Sequence, residues 1–182
     1  MKLKNGIILF LLPIMLLTGC SKTNSSSSSS TSSQSSTIET SQETYPSTDA
    51  IKTAVNKAKK ADQVDLIEAM EKDANVRFSD VVQNSDPEKY VGKVKLVDGE
   101  VFDTENTKSK DGKMYYIEDI TNKDHVYVLY TNKTGIRKDD SIETYGVIAG
   151  KMTYPTSDNK TEKAILITAT KKNVQNNGAT GK

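Results

Sequence analysis

Beyond Gly92 the apolar residues of this chain stop recurring every three or four positions and begin to alternate, and that change of period limits the fold more than any other feature. A period of two belongs to strands with a covered face, because successive side chains point to opposite sides of a pleated backbone. Five segments carry it, 93–102, 113–119, 125–131, 141–150 and 164–170, all rich in Val, Ile, Tyr and Thr. Only nine residues, 132–140, separate the third from the fourth, too few for a helix between them. The expected class is mostly β (α+β), a small five-stranded antiparallel barrel. In the first strand Val94 and Leu96 alternate one way and Val101 the other, so a bulge that re-aims the strand is expected at Asp98-Gly99. Val94, Leu96, Val101, Ile142, Ile165 and Ile167 are the expected core.

One or two helices precede the strands. Over 48–73, Ile51, Ala54, Val55 and Ala58 recur at helical spacing, Val64, Ile67 and Met70 continue it, Asp49 offers a cap, and a break falls near Ala61-Asp62. Lys57, Lys59 and Lys60 are followed at once by Asp62, Asp65, Glu68 and Glu71, which reads as a solvated face and not a nucleic-acid patch. A shorter helix is expected at 79–84 with Ser79 as cap. Asp86, Pro87 and Gly92 then suit the cap, first position and exit of a single turn. These upstream helices are expected to plug the barrel end.

Upstream lies a segment of another kind. Lys2 and Lys4 precede an almost wholly apolar 6–17, which is too short for a spanning helix and is interrupted by Pro13, so it reads as an export signal. With Leu17-Thr18-Gly19-Cys20 behind it, the arrangement resembles the lipobox of bacterial lipoproteins. That resemblance implies that the Cys20 thiol takes a diacylglycerol before cleavage and becomes the first residue of a lipid-anchored, extracytoplasmic protein. Cys20 is the one cysteine, so none remains for a disulfide, a thiolate nucleophile or a metal site. Residues 21–48 are nearly all Ser, Thr, Gln and Asn, a composition that cannot offset the entropy of folding, and a flexible coil of that length averages roughly 30 Å end to end. The expected organisation is a signal peptide over 1–19, lipidated cysteine and disordered tether over 20–48, a helical segment over 49–89, a barrel over 90–173 and a polar tail over 174–182.

The run Val76, Arg77, Phe78, Ser79, Asp80, Val81, Val82, then Asn84, Pro87, Tyr90, Gly92 and Val94, and later Arg137 through Gly146, resembles a group of secreted Gram-positive proteins. Their barrel is OB-like, of the oligonucleotide/oligosaccharide-binding kind, and is sometimes described as tRNA-anticodon-binding-like. The resemblance covers about 76–170 and implies a fold, with no catalytic residue to carry over. This chain departs from the pattern in having Ser85-Asp86 between Asn84 and Pro87 and an added residue near Gly99.

No phosphate-cradling glycine loop, paired-histidine zinc motif or nucleophile-elbow serine occurs, so the sequence calls for no catalytic residue, cofactor or metal. His125, the one histidine, opens a strand and has no second ligand for company. Asp103, Glu105 and Asp111 share a loop, but Lys108 and Lys110 intrude on any calcium pattern. Glu118-Asp119 and Asp139-Asp140 diverge on strands and are expected to solvate strand ends. Ligands of OB-like barrels bind on the face of strands two and three, between the loops that here are 103–112 and 154–162. Tyr115 and Tyr116 point to opposite faces, as do Tyr127 and Tyr130, and the expected ligand contacts are exposed tyrosines among Tyr116, Tyr127 and Tyr154.

The formal net charge is +1, and removing Lys2 and Lys4 takes it to −1; 93–138 carry nine Lys/Arg against eight Asp/Glu. Such a balance provides no basic groove, so nucleic acid is an unlikely partner. The leading expectation is a non-catalytic envelope module that meets the membrane through its lipid and binds a cell-wall glycan, a peptide or an envelope protein. The alternatives are an envelope hydrolase or transferase and a nucleic-acid-binding OB module, the latter resting on fold analogy.

Overall fold

A computed structural model of the chain describes residues 44–86, 88–105, 112–158 and 160–179. The leader, Cys20, most of the tether, Pro87 and Asp111 lie outside the described residues.

Helix α1 (Thr48–Lys60) starts at Ser47, whose hydroxyl accepts the Ala50 N–H at 3.1 Å; Asp49, the expected cap, instead sits in the first turn. The break foreseen near Ala61-Asp62 separates it from α2 (Gln63–Lys72), which opens on a reciprocal capping box between Asp62 and Asp65. Helix α3 (Phe78–Gln83) begins one residue earlier than expected. Ser79 is therefore inside the helix, and the Asp80 carboxylate turns back to accept the Arg77 N–H at 3.0 Å. The earlier start lets Phe78, Val81 and Val82 all enter the barrel core, so α3 is the plug.

The strands are β1 (Val94–Glu105), β2 (Lys113–Asp119), β3 (Val126–Thr131), β4 (Asp140–Pro155), β5 (Thr161–Ala169) and β6 (Val174–Ala179). Their order is β1-β2-β3-β5-β4-β6, and β1 also pairs with β4, so the first five close into a ring. The fold is an α+β OB-like barrel. Its β3–β5 seam is parallel, an exception to the expected antiparallel pairing, and the seams from β1 to β2, β2 to β3, β4 to β5 and β1 to β4 are antiparallel.

Further expectations need correction. The segment 174–182 is not merely a polar tail, because β6 pairs antiparallel with the first part of β4; Val174 enters the core and the Thr144 hydroxyl donates to the Asn173 carbonyl at 2.8 Å. Gln175, Asn176 and Asn177 hid this edge strand, which buries too little to show a hydrophobic alternation. The bulge in β1 is at Phe102, between Val101 and Asp103, and not at Asp98-Gly99, where pairing with β4 is regular and Gly99 also pairs with Asp119 of β2. Gly99 answers to crowding instead: a Cβ there would collide with the Glu118 carbonyl. Leu96 is 37% exposed, while Val94, Val101, Ile142, Ile165 and Ile167 are buried.

The sheet is apolar on both faces. Inside, Tyr115, Ile117, Tyr127, Leu129, Ile142 and Ile167 fill the ring above the α3 plug. Outside, Val94, Val128, Val147, Ala149 and Leu166 pack with Ala54 and Ala58 of α1 and Leu66 of α2. Helix α1 lies across β4 and β5, and α2 is tied to β1 by buried Asp73, which accepts the Val94 N–H at 3.0 Å and pairs with Lys93 Nζ at 2.8 Å. Asp140 is buried too, against the expectation that it solvates a strand end: it accepts the Arg137 N–H at 2.9 Å and the Asn176 amide at 2.8 Å.

Candidate functional site

Beyond the stretch where β1 and β4 pair, both strands run on into hairpins, β1 with β2 and β4 with β5. Aromatic side chains meet between these hairpins. The bulge delivers Phe102 to the outer face of β1, Tyr116 stands on the outer face of β2, and Tyr154 sits near the end of β4. Their ring centroids form a triangle with sides of 6.1, 6.1 and 5.7 Å and interplanar angles near 50°, within the range for tilted aromatic contacts. The cleft above them, about 230 Å³, is completed by Tyr45, Asp103, Thr104, Glu105 and Pro155. Thr44 fixes that approach of the chain: the Thr153 N–H donates to its carbonyl at 3.0 Å, and its own N–H donates to Thr153 Oγ1 at 2.8 Å. Residues 44–47, expected to be tether, thus run beside β4.

Carboxylates hold the phenols. The Tyr116 hydroxyl donates to Glu105 Oε2 at 2.9 Å and the Tyr154 hydroxyl to Glu162 Oε2 at 3.0 Å. Burial, then these carboxylates, push both phenols well above the usual tyrosine range, so each stays a neutral donor at any physiological pH. Each carboxylate keeps its second oxygen as an acceptor. Among the described residues the cleft lining holds Asp103 and Glu105 and no Lys or Arg. Its chemistry is that of closely packed aromatic rings beside hydrogen-bond acceptors.

Of the three tyrosines expected to be exposed, all are buried, and the structure brings two together. Tyr116 and Tyr154 share the cleft, though only 7% and 6% exposed, because they pack on each other and on Phe102. Tyr127 is misplaced by the sequence reading: at 1% exposure it lies inside the barrel, its ring edge-on to Phe78 with centroids 5.5 Å apart. Its strand, Val-Tyr-Val-Leu-Tyr-Thr, is apolar on both faces, so alternation alone could not say which of Tyr127 and Tyr130 points out. Phe102, Tyr45 and Glu162 were missed as site residues. The signals available were an aromatic at the end of the first strand and a lone tyrosine in a Ser/Thr-rich stretch. Cys20 lies outside the described residues. His125 stacks on Phe78 with centroids 4.3 Å apart, is 3.1 Å from the Asn122 amide nitrogen and is not among the residues lining the cleft. Among the described residues no group of three or more His, Cys, Asp or Glu could hold a metal ion, and no helix is long and apolar enough to cross a membrane.

No family model and no curated protein matches the chain. Among solved structures it is similar to a mitochondrial single-stranded DNA binding protein from S. cerevisiae, at 12% identity over 47% of this chain and 95% of that one, with a TM-score of 0.33. A likeness at that score carries no argument about ligand; the barrel assignment above rests on strand order and closure.

Proposed function

We propose that this chain is a cell-envelope lipoprotein whose OB-like barrel is a non-catalytic binding module for a wall glycan, taken up at the cleft between the two hairpins. The observation that carries the reading is the triangle of Phe102, Tyr116 and Tyr154 with Glu105 and Glu162 hydrogen-bonded to its two phenols. A sugar ring has an apolar face that stacks on aromatic rings and hydroxyls that donate to carboxylates, so it matches this donor and acceptor pattern. A phosphodiester strand would meet Asp103 and Glu105 with the wrong sign. The leader and the Cys20 lipobox support display outside the membrane, with the Ser/Thr-rich segment as spacer.

Two measurements test it. Mass spectrometry of native protein is expected to find a diacylated chain beginning at Cys20; an unmodified Cys20, or a chain retaining Met1, removes the lipoprotein half. Titration of the full chain with soluble peptidoglycan fragments, neutral oligosaccharides and a single-stranded oligonucleotide tests the other half. Saturable glycan binding, weakened about tenfold by Tyr116→Ala or Tyr154→Ala, is expected, the range of one lost stacking contact. Tight oligonucleotide binding with a steep salt slope would put the nucleic-acid reading in its place.

A further inference from the structure

A second crevice, of about 520 Å³, opens between one flank of α1 and the ends of β3 and β5. Its floor is apolar, made by Ile51 and Val55 of the helix with the Tyr130 ring, and its rim carries Lys52, Asn56 and Lys59. Among the described residues its lining has no Asp or Glu, the reverse of the aromatic cleft. The carboxylate paired with Lys52 is Asp49 at 3.8 Å, and with side chains 69% and 93% exposed that pair is weak. The Tyr130 ring lies close against Gly112, where a Cβ would come within 2.8 Å of its Cζ.

The wall of this crevice contains a polar group that the fold leaves unanswered. Thr168 is 2% exposed and its Oγ1 has no hydrogen-bond partner. Two residues on, on the same face of the extended chain, Thr170 Oγ1 is also buried without a partner. Each such hydroxyl costs about 1–3 kcal/mol relative to a satisfied one, and valine would fill the same space without that cost. Both residues line the same crevice, as do Lys52 and Lys59.

We propose that this crevice is a second ligand site, taking a small anion, a carboxylate or a phosphate, borne on a compact apolar or ring-containing body. Lys52 and Lys59 neutralise the charge, the Thr168 and Thr170 hydroxyls donate to the ligand oxygens, and the body rests on Ile51, Val55 and Tyr130. The site is independent of the glycan reading, since it shares no residue with the aromatic cleft.

The experiment is a titration of the isotope-labelled full chain with N-acetyl-D-alanine as the carboxylate probe and glycerol 3-phosphate as the phosphate probe, followed through amide resonances. Saturable shifts at Asn56, Thr168 and Thr170 are expected from at least one probe, with Tyr116 and Glu105 unmoved, and the tighter probe identifies the anionic group. The double variant Lys52→Gln, Lys59→Gln is expected to weaken that binding about tenfold at an unchanged Tm, since it removes charge-assisted hydrogen bonds from the rim. Thr168→Val is expected to weaken it by at least about fivefold, while the unliganded Tm holds or rises because an unpaired hydroxyl has gone. Absence of shifts from both probes at millimolar concentration overturns the proposal, as do shifts indifferent to the lysines. A Thr168→Val variant with a lowered unliganded Tm also overturns it, because the hydroxyl would then serve a structural water.

Discussion

Tyr127 and Tyr116 stand on neighbouring strands of one sheet and are nearly equally buried, yet they belong to different kinds of interior. Around Tyr127 the barrel is closed by its own ring of strands and by α3, and it shares one core cluster with Phe78, Leu129, Ile165 and Ile167. Around Tyr116 the cover is partial: α1 crosses β4 and β5, and what remains of the outer face is filled by the tyrosines themselves, whose hydroxyls reach carboxylates at the edge. The first interior offers a ligand nothing, since aliphatic side chains and packed rings line it. The second keeps polar atoms at the boundary with water, where a ligand competes with contacts the protein already makes. Burial by itself therefore does not separate structural from functional tyrosines here; the face of the sheet does.

The hardest test of that contrast is a pair of truncations. Tyr127→Ala is expected to cost about 3–5 kcal/mol in urea denaturation, as for other large aromatic deletions in a sealed core. Tyr116→Ala should cost visibly less, because the cleft is open and water can take the vacated space. Equal losses would erase the distinction between the two interiors. Next in size is Gly99→Ala, where the added methyl meets the Glu118 backbone and the Ile117 side chain; about 2 kcal/mol is expected, from overpacking between strands that cannot separate. Ser47→Ala probes the cover on the outer face. It removes the α1 cap and a hydrogen bond of 3.0 Å to Glu88, so a loss of about 1 kcal/mol is expected, with faster amide exchange in the first turn of α1 and none in β3.

The same contrast explains what the sequence could disclose. Lys113–Asp119 was readable to the residue, because its turns and its Tyr/Ile content announce it; the break between α1 and α2 was readable from Ala61-Asp62. A helical plug followed from the lack of space between the third and fourth strands, but the expectation covered all the upstream helices, and only α3 enters the barrel while α1 and α2 pack on the outer face. Beyond that the pattern fails for physical reasons. Strands covered on both faces lose their alternation, so β3 could not reveal which way Tyr127 points. Val174–Ala179 buries mainly Val174, and hydrogen bonding to β4 leaves no mark in composition. The cleft depends on Phe102 and Tyr154 converging from hairpins about fifty positions apart, with Tyr45 beside them, a juxtaposition made by closure of the ring and not by any local motif.

The smallest effect is also the most specific to the outer face. Tyr116→Phe and Tyr154→Phe each remove one phenol-to-carboxylate hydrogen bond while keeping the rings, and since Glu105 and Glu162 are exposed and regain water, about 0.5–1 kcal/mol apiece is expected. The pH dependence carries more information than the size. Both phenols are raised above the ordinary value of 10.0 by burial first and by the carboxylates second, so the unfolded chain loses those protons before the folded one does. Their contribution is therefore complete below pH 10 and drains away as the pH rises beyond it. Thermal melts from pH 8 to 11 should show the wild type losing stability above about pH 10. The double variant Tyr116→Phe, Tyr154→Phe, lower at pH 8, should lose less, so the two curves converge. Tyr127, raised by burial with Asp119 second, remains in both proteins and cancels in the difference. Parallel curves would mean that the cleft phenols titrate as freely as exposed ones, and the carboxylate pairing that gives the cleft its acceptors would not exist in solution.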